Sequence, residues 1–251
     1  MGVKQSDELS RRSLLGSAST IAASMVLATA LPRSAASRTS PEPLTAIDTL
    51  LDPDQTMVEK AIAANGRLRQ SFPKGFALDE THRPHISTLQ RYVRTADLDN
   101  VYGAVGKILT DEHPASWKLT AYKYYFIPWK KIGLAGIVIR PTDDLRRFQQ
   151  KLIDAITPFT VKAGTAAAFV TTKEDPDINR PTIDYVAHYV PADSGAKFNP
   201  HVTIGVASQD FLKNFLKEKF DEFTFSPAGV SVYHLGNFGT AREKLKSWSL
   251  T

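Results

Sequence analysis

Two tetrapeptides carry the chemistry that the sequence offers: Pro84-His85-Ile86-Ser87 and, 116 residues later, Pro200-His201-Val202-Thr203. On an extended strand alternate side chains share a face, so each motif sets an imidazole beside a hydroxyl and sends Ile86 or Val202 to the core side. A histidine followed two residues later by Ser or Thr means little alone: six His and 40 Ser plus Thr in 251 residues yield about one by chance. The preceding proline and the intervening aliphatic residue lower the expectation to about 0.01 for one copy, and doubling lowers it far more. Four such side chains offer general acid–base chemistry. One neutral ring can take a proton from water, one cationic ring can give a proton to a leaving group, and the hydroxyls can donate to developing negative charge.

The elements that must position these residues are legible in the spacing. Asp52 or Asp54 caps a helix with Met57, Ala61, Ile62, Ala64 and Leu68 at helical intervals, running to about Phe72. Pro84 to Val93 reads as a proline-led strand, and Thr95 or Asp97 opens a helix to about Leu109. Trp117 to Ile127 and Ile132 to Ile139 form a hairpin, and Thr142 caps a helix carrying Leu145, Phe148, Leu152 and Ile156. Asp177 opens a further helix, Pro191 to Asn199 is a loop, and His201 to Ala207 is a second proline-led strand. Ser208 and Asp210 open a helix through Phe220, and strands at Val230 to Leu235 and Leu245 to Leu250 close the chain. Both halves thus run in one order, a proline-led strand, a short helix and two strands, at a period of 116 residues.

These motifs resemble the 2H phosphoesterase superfamily, defined by two H-x-[ST]-x motifs, and within it the bacterial 2′-5′ RNA ligase-like, cyclic phosphodiesterase branch. The resemblance spans about residues 72 to 250, from Phe72-Pro73-Lys74-Gly75-Phe76 to Trp248-Ser249-Leu250. It implies an α+β, bilobal, pseudo-symmetric fold in which two antiparallel-rich sheets face a central groove. It also implies a metal-independent phosphodiesterase without cofactor, acting on a cyclic phosphate at a nucleotide or RNA end. Carried over by position, His85 and His201 match the catalytic histidines, and Ser87 and Thr203 the phosphate-binding hydroxyls. The first motif has Ser where Thr is commoner, and either hydroxyl donates. By analogy with the family His201 is the general base and His85 the general acid, roles that exchange in the ligation direction.

Other residues invite weaker assignments. Arg91 shares the alternating face of His85 and Ser87 if the strand runs unbroken, so it could reach phosphate, although a surface arginine is the simpler reading. Phe198, just before the second motif, could stack on a base or fill the core. Gly205 on the Thr203 face could leave room for substrate. Tyr122, Lys123, Tyr124 and Tyr125 read as a half-buried strand, and Asn237-Phe238-Gly239 as a turn. His82 and His85 lack the third ligand that a metal site needs, and no metal is expected. His113, His188 and His234 have ordinary loop, helix and strand roles.

Composition bounds the alternatives. The chain has 42% hydrophobic and 23% charged residues, ordinary globular values, and no cysteine, which excludes disulfide scaffolds, thiolate metal sites, cysteine nucleophiles and thioether-linked lipid anchors. Its net charge of +5 is too mild to indicate duplex tracking. Residues 1–36, with Ser10-Arg11-Arg12-Ser13-Leu14-Leu15 and a diluted apolar run to Leu31, look like a twin-arginine signal peptide, with 37–54 a Pro-, Ser- and Thr-rich linker and 55–251 the bilobal domain with its N-terminal helix. An exported monomer in the periplasm or outside the cell is expected, free of the membrane once the signal is removed. Two readings compete with the nucleotide phosphodiesterase: a non-catalytic periplasmic module that binds a nucleotide or RNA end, and a related enzyme for a non-nucleotide cyclic phosphate.

Overall fold

The computed structural model describes residues 42–250 except Glu174, so the signal-peptide assignment lies outside the described residues. In chain order the elements are β1 (Leu44–Pro53), α1 (Gln55–Ser71), β2 (Ile86–Arg94), α2 (Leu98–Glu112), β3 (Leu119–Trp129), β4 (Ile132–Ile139) and α3 (Asp143–Ile156). They continue with β5 (Thr160–Val161), α4 (Arg180–Asp193), β6 (His201–Ser208), α5 (Gln209–Phe215), β7 (Phe223–Phe225), β8 (Pro227–Leu235) and β9 (Ala241–Ser249). No helix among the described residues is long and apolar enough to cross a membrane.

The helix starts follow side-chain caps. Asp54 accepts from the Met57 N–H at 3.3 Å, Thr142 from Leu145 at 3.2 Å and Ser208 from Phe211 at 3.3 Å, each satisfying a first-turn donor that has no intrahelical partner. The cap of α4 is Asn179 rather than Asp177: its Oδ1 accepts from the Thr182 N–H at 2.8 Å. This helix also continues through Pro191 to Asp193, where a loop was expected. The fifth helix stops at Phe215, short of the expected Phe220.

Strands arrange as two antiparallel sheets, β5-β2-β1-β8-β9 and β6-β4-β3-β7, so the α+β class with two antiparallel sheets is observed. Their assembly is interleaved. The hairpin β3–β4, which follows β2 in sequence, pairs with β6, while β8–β9, which follows β6, enters the sheet of β2. Each lobe therefore combines the motif strand of one half with the hairpin of the other.

The expected linker over 37–54 is corrected. Residues 44–53 form β1, the central strand of the five-stranded sheet, paired with both β2 and β8. It is buried on both faces, so it shows no two-residue alternation. Its polar Thr45, Asp48 and Thr49, at most 4% exposed, further disguise it as a loop.

A β-bulge interrupts each motif strand. Opposite β1 the register jumps over Thr88, and opposite β4 it jumps over Ile204, positions again 116 residues apart. A buried helix amide holds each bulge: Gln149 Nε2 of α3 donates to Thr88 O at 3.1 Å, and Asn65 Nδ2 of α1 to Ile204 O at 2.8 Å. Bulges re-aim the side chains beyond them, which matters for the site.

Candidate active site

The two motifs meet in one groove of about 290 Å³, whose wall includes His85, Ser87, His201 and Thr203. Each imidazole is fixed by its own backbone. His85 Nδ1 lies 2.7 Å from Arg83 O and His201 Nδ1 lies 2.8 Å from Asn199 O, the same bond two residues back in both halves. A carbonyl only accepts, so Nδ1 carries a hydrogen in both rings and Nε2 is left to titrate. The neutral ring then presents a lone pair at Nε2 and the cationic ring an N–H.

The surroundings distinguish the rings. Burial depresses the pKa of His201, and the charge of His85 adds to this, against partial compensation from the Asn199 carbonyl and Asp193. His201 is thereby held neutral near pH 7, as a base requires. Its ring also meets Tyr125 edge-on, with centroids 5.0 Å apart.

Ser87 and Thr203 differ more than their shared motif suggests. The Ser87 hydroxyl donates to Asp48 Oδ2 at 2.5 Å, and Gln90 Nε2 donates to the same oxygen at 3.0 Å. Thr203 faces Gly136 across the β6–β4 register, and among the described residues no carboxylate accepts a hydrogen bond from it.

Three further residues refine the sequence reading. Arg91 is not in the groove: the bulge at Thr88 exchanges the faces, so Gln90 takes the groove side and Arg91 turns to the other side of the sheet, with Nε buried and unbonded. Gly205 likewise faces α1, where a Cβ would stand 2.8 Å from Asn65 Nδ2, and its φ of +134° is a second reason for glycine there. Phe198 is 5% exposed, a core side chain whose edge lines the groove. Phe238, in the expected turn, has φ +57° and is 63% exposed at the groove wall.

Asp48, Gln90, Asp193, Tyr185 and Tyr189 belong to the site and were not singled out from the sequence. Asp193 lines the groove with His201 and Tyr185, and burial raises its pKa. Tyr189 donates to Ser87 O at 3.3 Å. A lone acid within the apolar run Ala46 to Leu51 was the signal available for Asp48. For Asp193 it was only its position eight residues before the second motif histidine. His82 lines the wall stacked on Phe76, with centroids 4.9 Å apart. Among the described residues no three His, Cys, Asp or Glu side chains gather where they could hold a metal ion.

No family model matches this chain, and no curated protein matches it by sequence. Solved structures do. TT0787 of Thermus thermophilus aligns with a TM-score of 0.50 at 13% identity, covering 82% of this chain and 98% of that one. The ns2 PDE domain of MHV aligns at 0.41 with 9% identity, covering 80% and 99%, and Usb1 of Kluyveromyces marxianus at 0.40 with 11% identity, covering 81% and 98%. The first establishes a shared fold, and the two fainter likenesses add nothing to it.

Proposed function

We propose that the protein is a metal-independent phosphodiesterase that opens a cyclic phosphate, of the 2′,3′ type at a nucleotide or RNA end, in the manner of the 2H phosphoesterases. One observation carries the reading: two histidines with the same tautomer, each beside a hydroxyl on a bulged strand, converge on a single groove.

In this mechanism His201 Nε2 removes a proton from water as its oxygen attacks phosphorus. The phosphorus–oxygen bond to one ring oxygen breaks, and His85 Nε2–H protonates that leaving alkoxide. Thr203 donates to a phosphoryl oxygen, and the imidazolium adds charge stabilisation. The groove walls suit the organic part of such a substrate, since Tyr185, Phe198, Ile127 and Phe238 give a nucleobase apolar and aromatic surface.

The test is a turnover screen of 2′,3′-cyclic nucleotides, cyclic-phosphate RNA ends and non-nucleotide cyclic phosphates, with and without chelator. Turnover that survives EDTA supports the reading. Binding without turnover would favour the non-catalytic module, and loss with EDTA restored by zinc or magnesium would replace the acid–base pair with a ligand set. Export through a twin-arginine signal and a monomeric state complete the proposal. Replacing Arg11 and Arg12 by Lys should retain the protein inside the cell, and light scattering should return the mass of one mature chain.

A further inference from the structure

A carboxylate with no exposed surface lies behind the first motif, and the mechanism above does not use it. Asp48 stands near the middle of β1. Its Oδ2 takes the hydrogen bonds from Ser87 and Gln90, while its Oδ1 is buried without a partner. The titratable groups facing it are His85 ahead of β2, Tyr185 and Tyr189 from α4, and Tyr233 opposite on β8. No Lys or Arg among the described residues pairs with it, and the charge that favours its anion is that of His85. Burying a carboxylate so sparsely compensated favours its neutral form, and the pKa of Asp48 rises to about 6.

A serine hydroxyl has one hydrogen to give. With Asp48 ionised, Ser87 spends that hydrogen on Oδ2 and turns only lone pairs toward the groove, where they repel a phosphoryl oxygen. With Asp48 protonated at Oδ2, the carboxyl donates to Ser87 Oγ and still accepts from Gln90. The Ser87 hydrogen then points into the groove. No heavy atom moves between the two arrangements. Only O–H hydrogens change places.

We propose that Asp48 is a positioning residue that, acting through Ser87, couples the binding of a phosphoryl anion to the uptake of one proton from solvent. The inference rests on the phosphodiesterase reading to the extent that a phosphoryl oxygen must reach Ser87. The proton comes from water and resides on Oδ2 in the complex, and no other bond forms or breaks. The incoming anion reinforces the effect, since a negative charge nearby disfavours the carboxylate. Thr203, opposite a glycine, has no such partner among the described residues, so the linkage is confined to the first motif.

The experiment is calorimetric titration of the full mature protein with nucleoside 2′- and 3′-monophosphates and with inorganic phosphate, at several pH values and in buffers of different ionisation enthalpy. Wild type, D48N, S87A and the double variant are compared. Wild-type binding should take up protons and weaken as pH rises above 6, by up to tenfold per pH unit. D48N should lose the whole Asp48 share of that uptake, S87A the part that passes through the hydroxyl, and the double variant no more than D48N, since both act on one relay. Uptake by the histidines is common to all four proteins and cancels in the comparison. Unchanged uptake in D48N or in S87A overturns the inference. If D48N does not fold, S87A decides alone, because it leaves the carboxylate in place and removes the hydroxyl through which it acts. If none of the phosphates binds wild type, the inference and the phosphodiesterase reading fall together; if they bind with uptake unaltered by the substitutions, the inference falls alone.

Discussion

Around His85 the polar neighbours include a fully buried carboxylate, Asp48, which holds the buried amide Gln90. Around His201 they include a half-buried carboxylate, Asp193, the neighbouring Tyr185, and the edge of the Tyr125 ring. The backbones beneath are alike to the detail of a proline, a carbonyl-bound Nδ1 and a bulge held by a helix amide. The repeated backbone supplies two equivalent imidazoles, and in the proposed mechanism their unequal surroundings set one as base and the other as acid. Acid–base catalysis by two like groups needs that inequality, because identical surroundings would favour the same protonation state in both.

The comparison is broken most severely by removing either ring. H201A and H85A should each lower kcat/KM by on the order of 10²-fold or more, since water or the leaving group is then left unactivated. A much smaller loss in one of them would mean that the halves do not share the reaction. The hydroxyls sharpen it next. T203A should cost about tenfold in kcat/KM and S87A distinctly less at pH 8, because Ser87 gives its hydrogen to Asp48 there and Thr203 is free to give its own to phosphate. Equal losses at pH 8 would remove the asymmetry between the motifs.

D193N comes third. The Asp193 charge favours protonated His201, so its removal lowers the histidine pKa further. The rising limb of the rate–pH profile, where His201 loses its proton, should therefore move to lower pH, with a loss of a few-fold at the plateau from the weaker base. A limb that stays in place or moves up would dissociate Asp193 from the base. The smallest effect belongs to R91M, which should leave kcat/KM within about twofold, because the bulge at Thr88 turns that side chain away from the groove. A large loss would mean that the strand presents Arg91 to substrate after all.

Much of this was legible in the sequence. The doubled motif, its 116-residue period, the β3–β4 hairpin and most helix caps follow from local rules of spacing and capping. The remainder depends on partners distant in the chain. β1 escaped notice because a strand buried on both faces has no alternation, and because Asp48 and Thr49 interrupt its apolar run. The strand parity that offers Arg91 and Gly205 to the groove is reversed by one inserted residue in each strand. The order of elements gave two similar halves, but no local pattern specifies that β3–β4 pairs with β6 and β8–β9 joins β2 through β1.

That exchange of hairpins governs how the molecule can form. One edge of β1 pairs with β2 close behind it, but the other waits for β8, and the side-chain bond from Ser231 to Asp52 spans 179 residues. A ribosome releases the first strand long before it makes its second neighbour, so a hydrophobic strand edge stays open while the intervening residues are made. Closing so long a loop is entropically demanding and makes the final pairing slow. The lobe that carries His85 is thus completed only once β8 and β9 have been made, and a nascent protein truncated before β8 has the first motif but only part of the sheet that holds it.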